Sequence, residues 1–324
     1  MEIRFGVIGA GGISSHHIRV FEQIGNVRVV SVFDVNTEQA AKLASKTGAA
    51  IAASAEEVLD PEQIDAVLIC SPQFARGNLE ELAANRNIHL LVEKPLGLQI
   101  DEVQQKQRVI EQSGIIHAAG YCLRYLDTVQ LAKQYLHNRK IHLVQVQRYG
   151  AAHPAKWWNQ LAASGGFLVD AVTHQVDLVR YLIGEFHNVY ANFGRNSIKE
   201  SNPEATIYDG GAVTFTMKNG AVGTLTESCH SLHYNEAEIK IFGADFFLSL
   251  NKNGTQLTII DESQHMTRTS KQDAYYEQNK QFVEAVLRSS AEQILCNYGD
   301  AAKTLAFTLA ANRSFIEQTS ICLD

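Results

Sequence analysis

Three groups of residues in this chain of 324 have types and spacings that could do chemistry. Asp170 and His174 stand four apart in Gly165-Gly166-Phe167-Leu168-Val169-Asp170-Ala171-Val172-Thr173-His174-Gln175-Val176-Asp177. If Val169–Ile183 is a helix, the two share one face and Asp177 lies close to it. A carboxylate beside an imidazole fixes its orientation and raises its basicity, which suits a general acid/base. The apolar positions Val169, Val172, Val176, Val179 and Leu182 form a separate stripe, so the polar one faces a polar space such as a cleft. The same pattern also fits a plain surface or buried ion pair. The second group, Glu93-Lys94-Pro95, closes an apolar run; proline ends the strand and leaves Lys94 at its tip. A surface lysine paired with Glu93 is the alternative reading. The third, Gly9-Ala10-Gly11-Gly12-Ile13-Ser14, follows the apolar run Ile3–Ile8. Two glycines spaced G-x-G let a backbone turn tightly and approach a pyrophosphate, which the next helix, Ile13 to Ile24, receives on its amide groups. A second apolar run, Val27–Phe33, ends in Asp34, at the spacing where an acid meets ribose hydroxyls.

These groups need elements that hold them. Over the first 120 or so residues, strand patterns (Ile3–Ile8, Val27–Phe33, Ala66–Cys70, Ile88–Glu93, Ile115–Gly120) alternate with helical ones (Thr37–Lys46, Ala75–Asn85, Asp101–Gln112). That order implies parallel strands with crossover helices, a doubly wound Rossmann sheet whose ligands bind at the carboxyl ends of the strands. Asp34, Ser71-Pro72 and Glu93-Lys94-Pro95 all fall there. After Tyr121 the pattern changes. Ala212–Met217 and Val222–Ser228 flank Lys218-Asn219-Gly220-Ala221, and Phe246–Leu250 and Gln256–Ile260 flank Asn253-Gly254. Asn-Gly between strands marks hairpins, hence an antiparallel sheet. Helices over Ala274–Ser289 and Ala301–Glu317 close the chain. The expectation is an α/β domain over 1–121, binding a dinucleotide, and an α+β domain over 122–324, binding substrate and making oligomer contacts. The latter carries a large, mostly antiparallel open sheet with helices on one face.

Composition narrows the partners. Hydrophobic residues make up 45% and charged residues 19%, with a formal net charge of -7. Nothing here attracts nucleic acid or an anionic membrane, and no apolar stretch is long enough to span a bilayer. The chain enters its first strand at once, which leaves no room for a signal peptide. Five scattered cysteines, with no C-x-x-C, read as reduced thiols in a cytoplasmic protein. His16-His17 reads as packing or solvent-facing. His230 and His233 lack a third ligand, so no metal is expected. Tyr121, Arg124, Trp157 and Trp158 are weaker candidates for substrate contact; the tryptophans could stack on a sugar ring or belong to the core.

Taken together, these residues resemble the glucose–fructose oxidoreductase / inositol 2-dehydrogenase (Gfo/Idh/MocA) family. The resemblance covers nearly the whole chain and rests on the Gly9–Ser14 turn, Ser71-Pro72, Glu93-Lys94-Pro95, and Gly165-Gly166 with Asp170, His174 and Asp177. Arg124-Tyr125 is similar to the Arg-aromatic pair that often begins the second domain. The resemblance implies that Lys94 steadies the reacting oxygen, that His174 exchanges the hydroxyl proton and that Asp170 orients it. It assigns Gly9, Ala10, Gly11, Gly12, Ile13, Asp34, Ser71, Pro72, Glu93 and Lys94 to the cofactor, NAD. NADP would require a basic residue from elsewhere, such as Arg76. It also implies a homodimer or homotetramer, and the runs Val213–Met217 and Val222–Thr226 are expected to supply a second, apolar sheet face. Two positions depart from the family's pattern: Arg76 stands where a histidine is common, and Val172 where Gly or Ala is common. The reading is an NAD(H)-dependent oxidoreductase acting on a secondary alcohol or ketone of a sugar, inositol or polyol. An NAD-dependent glycosidase and a non-catalytic dinucleotide sensor are the alternatives.

Overall fold

The computed structural model describes residues 2–323. The chain divides into two compact units, Met1–Cys122 with Asp273–Ala302, and Leu123–Gln272 with Lys303–Asp324.

The first unit is built on six parallel strands: β1 (Ile3–Ile8), β2 (Val27–Phe33), β3 (Ala50–Ile51), β4 (Ala66–Ile69), β5 (His89–Val92) and β6 (His117–Ala119), in the order β3-β2-β1-β4-β5-β6. This is the order of a dinucleotide-binding sheet, with the reversal between β1 and β4. β1, β4 and β5 are almost wholly buried, as strands covered on both faces must be. The helix Gly12–Ile24 follows β1 at once, and its Phe21 packs on Phe5 at 4.6 Å between ring centroids. The helix Thr37–Thr47 starts where the Asn36 side chain accepts from the amides of Glu38 and Gln39, and stops at left-handed Gly48. Late in the sequence the chain returns to this unit. Asp273 caps the helix Ala274–Arg288 through the amides of Tyr275 and Tyr276, and Phe282 of that helix enters the core beside Phe5.

The second unit carries nine strands: β7 (Ile141–Tyr149), β8 (Phe186–Gly194), β9 (Gly210–Met217), β10 (Val222–Ser228), β11 (Glu236–Gly243), β12 (Phe246–Asn251), β13 (Gln256–Asp261), β14 (His265–Thr269) and β15 (Ile321–Cys322). Their order is β14-β13-β12-β11-β7-β10-β9-β8-β15, antiparallel except where β10 runs parallel to β7. Both Asn-Gly sites are hairpin turns, with Gly220 and Asn253-Gly254 at positive φ. One face is apolar: Phe186 stacks on Phe307 at 3.8 Å and meets Phe215 edge-on at 5.0 Å. The expected second apolar face is absent. Val213, Phe215, Met217 and Leu225 all point to the buried side, because alternation puts Thr214, Thr216, Thr224 and Thr226 on the other, where Val222 is the one large exposed apolar group of these two strands.

Gly9 is pressed against the backbone of a neighbouring turn. Its φ is +93°, and a Cβ there would fall 2.6 Å from the Ser71 nitrogen and 2.8 Å from the Cys70 carbonyl carbon. A Cβ on Gly12 would meet nothing within 4 Å. Gly9→Ala should therefore lose about 1–3 kcal/mol from its φ alone, with the clash in addition, while Gly12→Ala keeps its denaturant midpoint. Equal midpoints would contradict this.

Candidate active site

In the first unit, the glycine turn, Asp34 and Lys94 all lie at the carboxyl ends of strands. Asp34 follows β2, and its carboxylate accepts from the amides of Ala10 (2.6 Å) and Asn36 (2.7 Å), so it shapes the turn as well as facing it. A cavity of about 370 Å³ opens beside the turn, bordered by Gly11, Gly12, Ser15, Gln39, Lys42 and Lys46. A Cβ on Gly12 would meet nothing within 4 Å, and one on Gly11 would meet the Gln39 Oε1 at 4.0 Å. A turn open on this side, with helix amides behind it, fits the pyrophosphate of a dinucleotide. The residues that would hold it are Gly9 to Ile13, with Asp34 at the ribose.

Lys94 sits on a buried support. Glu93 is buried, its Oε1 lies 3.0 Å from His17 Nε2, and its Oε2 accepts the Lys94 amide at 3.2 Å. His17 is fully buried too, and its Nδ1 lies 2.8 Å from Asn279 Nδ2 on the returning helix. A Cβ on Gly120 would lie 2.8 Å from the Glu93 carboxylate, so the carboxylate occupies the space a larger residue there would fill. Burial, then the charge of Glu93, pushes the Cys122 thiol and the Tyr275 phenol up. The Lys94–Pro95 peptide is cis. Arg76 braces it: Nε donates to the Ser71 carbonyl and Nη1 to the Pro95 carbonyl, each at 2.9 Å. Arg76 is only 2% exposed, so it ties two turns together and has no reach towards a ribose phosphate.

In the second unit, Gly165 (φ +76°) and Gly166 (φ +87°) turn the chain into the catalytic candidates. Glycine adopts such positive φ values at no steric cost, and Asn312 fixes the turn by donating to the Gly165 carbonyl at 2.8 Å. A π-helical turn, Leu168–Val172, comes next, followed by the α-helix Thr173–Ile183. The sequence implied one regular helix; a widened turn of this kind is common at functional sites. Asp170 and His174 are both half-buried. Trp158, 2% exposed, donates its indole N–H to Asp170 Oδ2 at 2.8 Å. Trp158 therefore holds the carboxylate in place and offers no face to a sugar ring; Trp157 is the half-buried one.

Three further expectations change. Asp177 does not join the polar face. It is 1% exposed and takes a bidentate pair from Arg124 Nε (2.8 Å) and Nη2 (2.6 Å), with Thr304 donating at 3.0 Å. Arg124 is thus a structural partner of Asp177, and Tyr121, 1% exposed, belongs to the core. Sequence reasoning also missed Glu227. It lies on β10 at the parity of the buried Gly223 and Leu225, and burial raises its carboxyl to about 8. A charged residue at core parity was the signal available.

The family model described as the oxidoreductase family, NAD-binding Rossmann fold (GFO_IDH_MocA) matches residues 3–121, and the GFO/IDH/MocA C-terminal domain matches residues 139–246. The chain is 25% identical to the myo-inositol 2-dehydrogenase of Thermotoga maritima, over 99% of each chain. It is 26% identical to the scyllo-inositol 2-dehydrogenase (NAD(+)) of Bacillus subtilis, over 100% of this chain and 97% of that one. A levoglucosan dehydrogenase solved with NADH and levoglucosan has the same fold, with a TM-score of 0.89 at 19% identity and full coverage of both chains.

Two outcomes follow for stability. Asp177→Asn leaves the Arg124 cation buried without its carboxylate and should cost about 3–5 kcal/mol; an unchanged denaturation midpoint would contradict the pairing. Glu227 works in the opposite sense from an ion-paired acid. Its folded pKa lies above the unfolded one, so its contribution is intact in acid and is lost as pH rises through about 8. Glu227→Gln should remove part of the fall in stability between about pH 4.5 and 8, measured by urea unfolding, and an identical slope in the variant would contradict the assignment.

Proposed function

The chain belongs to the GFO/IDH/MocA oxidoreductase family, and from that premise we propose that it is an NAD(H)-dependent dehydrogenase of a sugar, an inositol or a related polyol, working between a secondary alcohol and its ketone. The observation that carries the reading is the Asp170–His174 pair, set at a widened helical turn with Asp170 held by a buried tryptophan. The relatives named as inositol dehydrogenases support the substrate class.

NAD, when bound, supplies the hydride acceptor at C4 of its nicotinamide. The protein's own groups handle the proton and the charge. His174 Nδ1 is buried, and we assign the proton exchange with a substrate hydroxyl to Nε2. His174 takes that proton in oxidation and returns it in reduction. Asp170 orients the imidazole. Lys94 Nζ donates to the reacting oxygen and steadies the charge that develops on it. Glu93, His17 and Arg76 keep the Lys94 turn in place. The first unit acts as the dinucleotide-binding domain and the second as the substrate-binding domain. Asp34 favours NAD, since its carboxylate accepts from ribose hydroxyls and repels a 2′-phosphate.

Among the described residues no helix is long and apolar enough to cross a membrane. We place the protein in the cytoplasm, where its five free cysteines stay reduced. We also place it in a homodimer or homotetramer formed through the threonine-rich face of the nine-stranded sheet; light scattering at the mass of one chain would contradict that assembly.

NADH formation across a panel of inositols, sugars and glycosides tests the activity. A member of the panel should be oxidised with NAD+ and bind far less productively with NADP+. His174→Ala and Lys94→Ala should each lower kcat about 10²–10⁴-fold and leave NAD affinity nearly unchanged. Near-parental kcat in His174→Ala would make the helix pair structural. Cleavage of glycosides without net NADH would point to the glycosidase chemistry instead.

A further inference from the structure

We propose that Arg148 is a specificity-determining residue for an anionic substituent, a carboxylate or a phosphate, on the hydroxylated ring that this enzyme oxidises; the inference rests on the dehydrogenase reading above. β7 alternates Val144, Val146, Arg148 on its buried side, so the sequence spends a core position on a cation. The guanidinium lies over the Phe167 ring, 5.5 Å from its centroid. Phe167 meets Trp158 edge-on at 6.0 Å, and Trp158 donates to Asp170. Two rings therefore connect Arg148 to the helix that carries the acid/base pair.

Among the described residues no carboxylate comes within ion-pair distance of the cation; the charge of Glu236 acts on it only from further off. Nη1 donates only to neutral acceptors: the Tyr149 carbonyl, Asn235 Oδ1 at 2.8 Å and the Glu236 carbonyl at 3.3 Å. Nε and Nη2 donate to none of their acceptors. Those two nitrogens form the side-on edge of the guanidinium, two parallel donors that match a carboxylate or phosphate. The bare Cα of Gly150 stands at the other end of the guanidinium, where a Cβ would lie 3.1 Å from Nη1 and 3.6 Å from Nη2. Half-burial weakens the competition from water and strengthens attraction for an anion.

The acid that should neutralise Arg148 has been turned away. Glu227 on β10 is its register partner, and both side chains lie on the buried face. Arg148 leans towards β11, to Asn235 and Glu236, whereas Glu227 leans towards β9, its Cγ within 2.9 Å of where a Gly211 Cβ would stand. Glu227 Oε2 is buried with no hydrogen-bond partner. Dry and largely uncharged at neutral pH, it does not compensate the cation.

The experiment compares kcat/KM for paired substrates with NAD+: glucose with glucuronate and glucose 6-phosphate, and galactose with galacturonate. The parent should prefer the anionic member of a pair by about 10- to 100-fold, the size of a charged hydrogen-bond pair. Preference for the uronate or for the phosphate identifies which anion is read. In Arg148→Met, which keeps an apolar stem on Phe167, the ratio should fall to near one, and Arg148→Lys should recover part of it. Circular dichroism melting of both variants establishes that they are folded. A parent ratio near one, or a ratio unchanged in Arg148→Met, overturns the proposal while leaving the dehydrogenase reading intact. If no member is oxidised, that reading is what fails for this panel. Calorimetry on the parent–NADH complex still decides the anion: binding of the uronate or phosphate that Arg148→Met loses supports Arg148, and no binding overturns it.

Discussion

A carboxylate taken out of water at the end of β5 has to be answered by protein donors, and the first unit is arranged around that requirement. Glu93 is met by His17 from the helix after the glycine turn and by the amide of Lys94. Asn279, from the helix that returns at the end of the chain, holds the far side of the same imidazole. An isolated buried charge would be severely destabilising, so these partners are not interchangeable. The consequence is mechanical. The helix that begins at the glycine turn, the turn that presents Lys94 and the returning helix are all pinned at one buried point. Arg76 adds a second pin by joining the Ser71 and Pro95 carbonyls.

The second unit uses the same device in a different form. Arg124 and Asp177 form a buried bidentate pair with Thr304, which fixes the helix that carries His174. Trp158 fixes Asp170 from the loop before it. The polar groups proposed to meet substrate are thus positioned by other polar groups that are more deeply buried. Arg148 is the exception: a partly buried charge whose partners are all neutral.

Much of this was legible in the sequence. Strand–turn–helix order and Gly9-Ala10-Gly11 identified the parallel sheet, because glycine at Gly9 is demanded by a backbone contact that no other residue allows. Asn-Gly pairs located both hairpins. What escaped the sequence depends on pairings distant along the chain. His17 and Asn279 are 262 residues apart. Arg124 and Asp177 are 53 apart, and helical spacing alone put Asp177 on the wrong team, since periodicity reports a face but not what covers it. Trp158 was ambiguous for the same reason. The return of Ala274–Arg288 to the first unit has no local signature, as its amphipathic pattern suits any sheet.

On the proposed mechanism this chain moves a hydride from a carbinol carbon while His174 takes the hydroxyl proton. The most direct test uses a turned-over polyol deuterated at the carbinol carbon, with proton NMR of the cofactor recovered after one turnover. Deuterium should appear at C4 of the nicotinamide in nearly every NADH formed. Deuterium lost to water, with unlabelled cofactor, would mean proton abstraction at carbon and would contradict that mechanism.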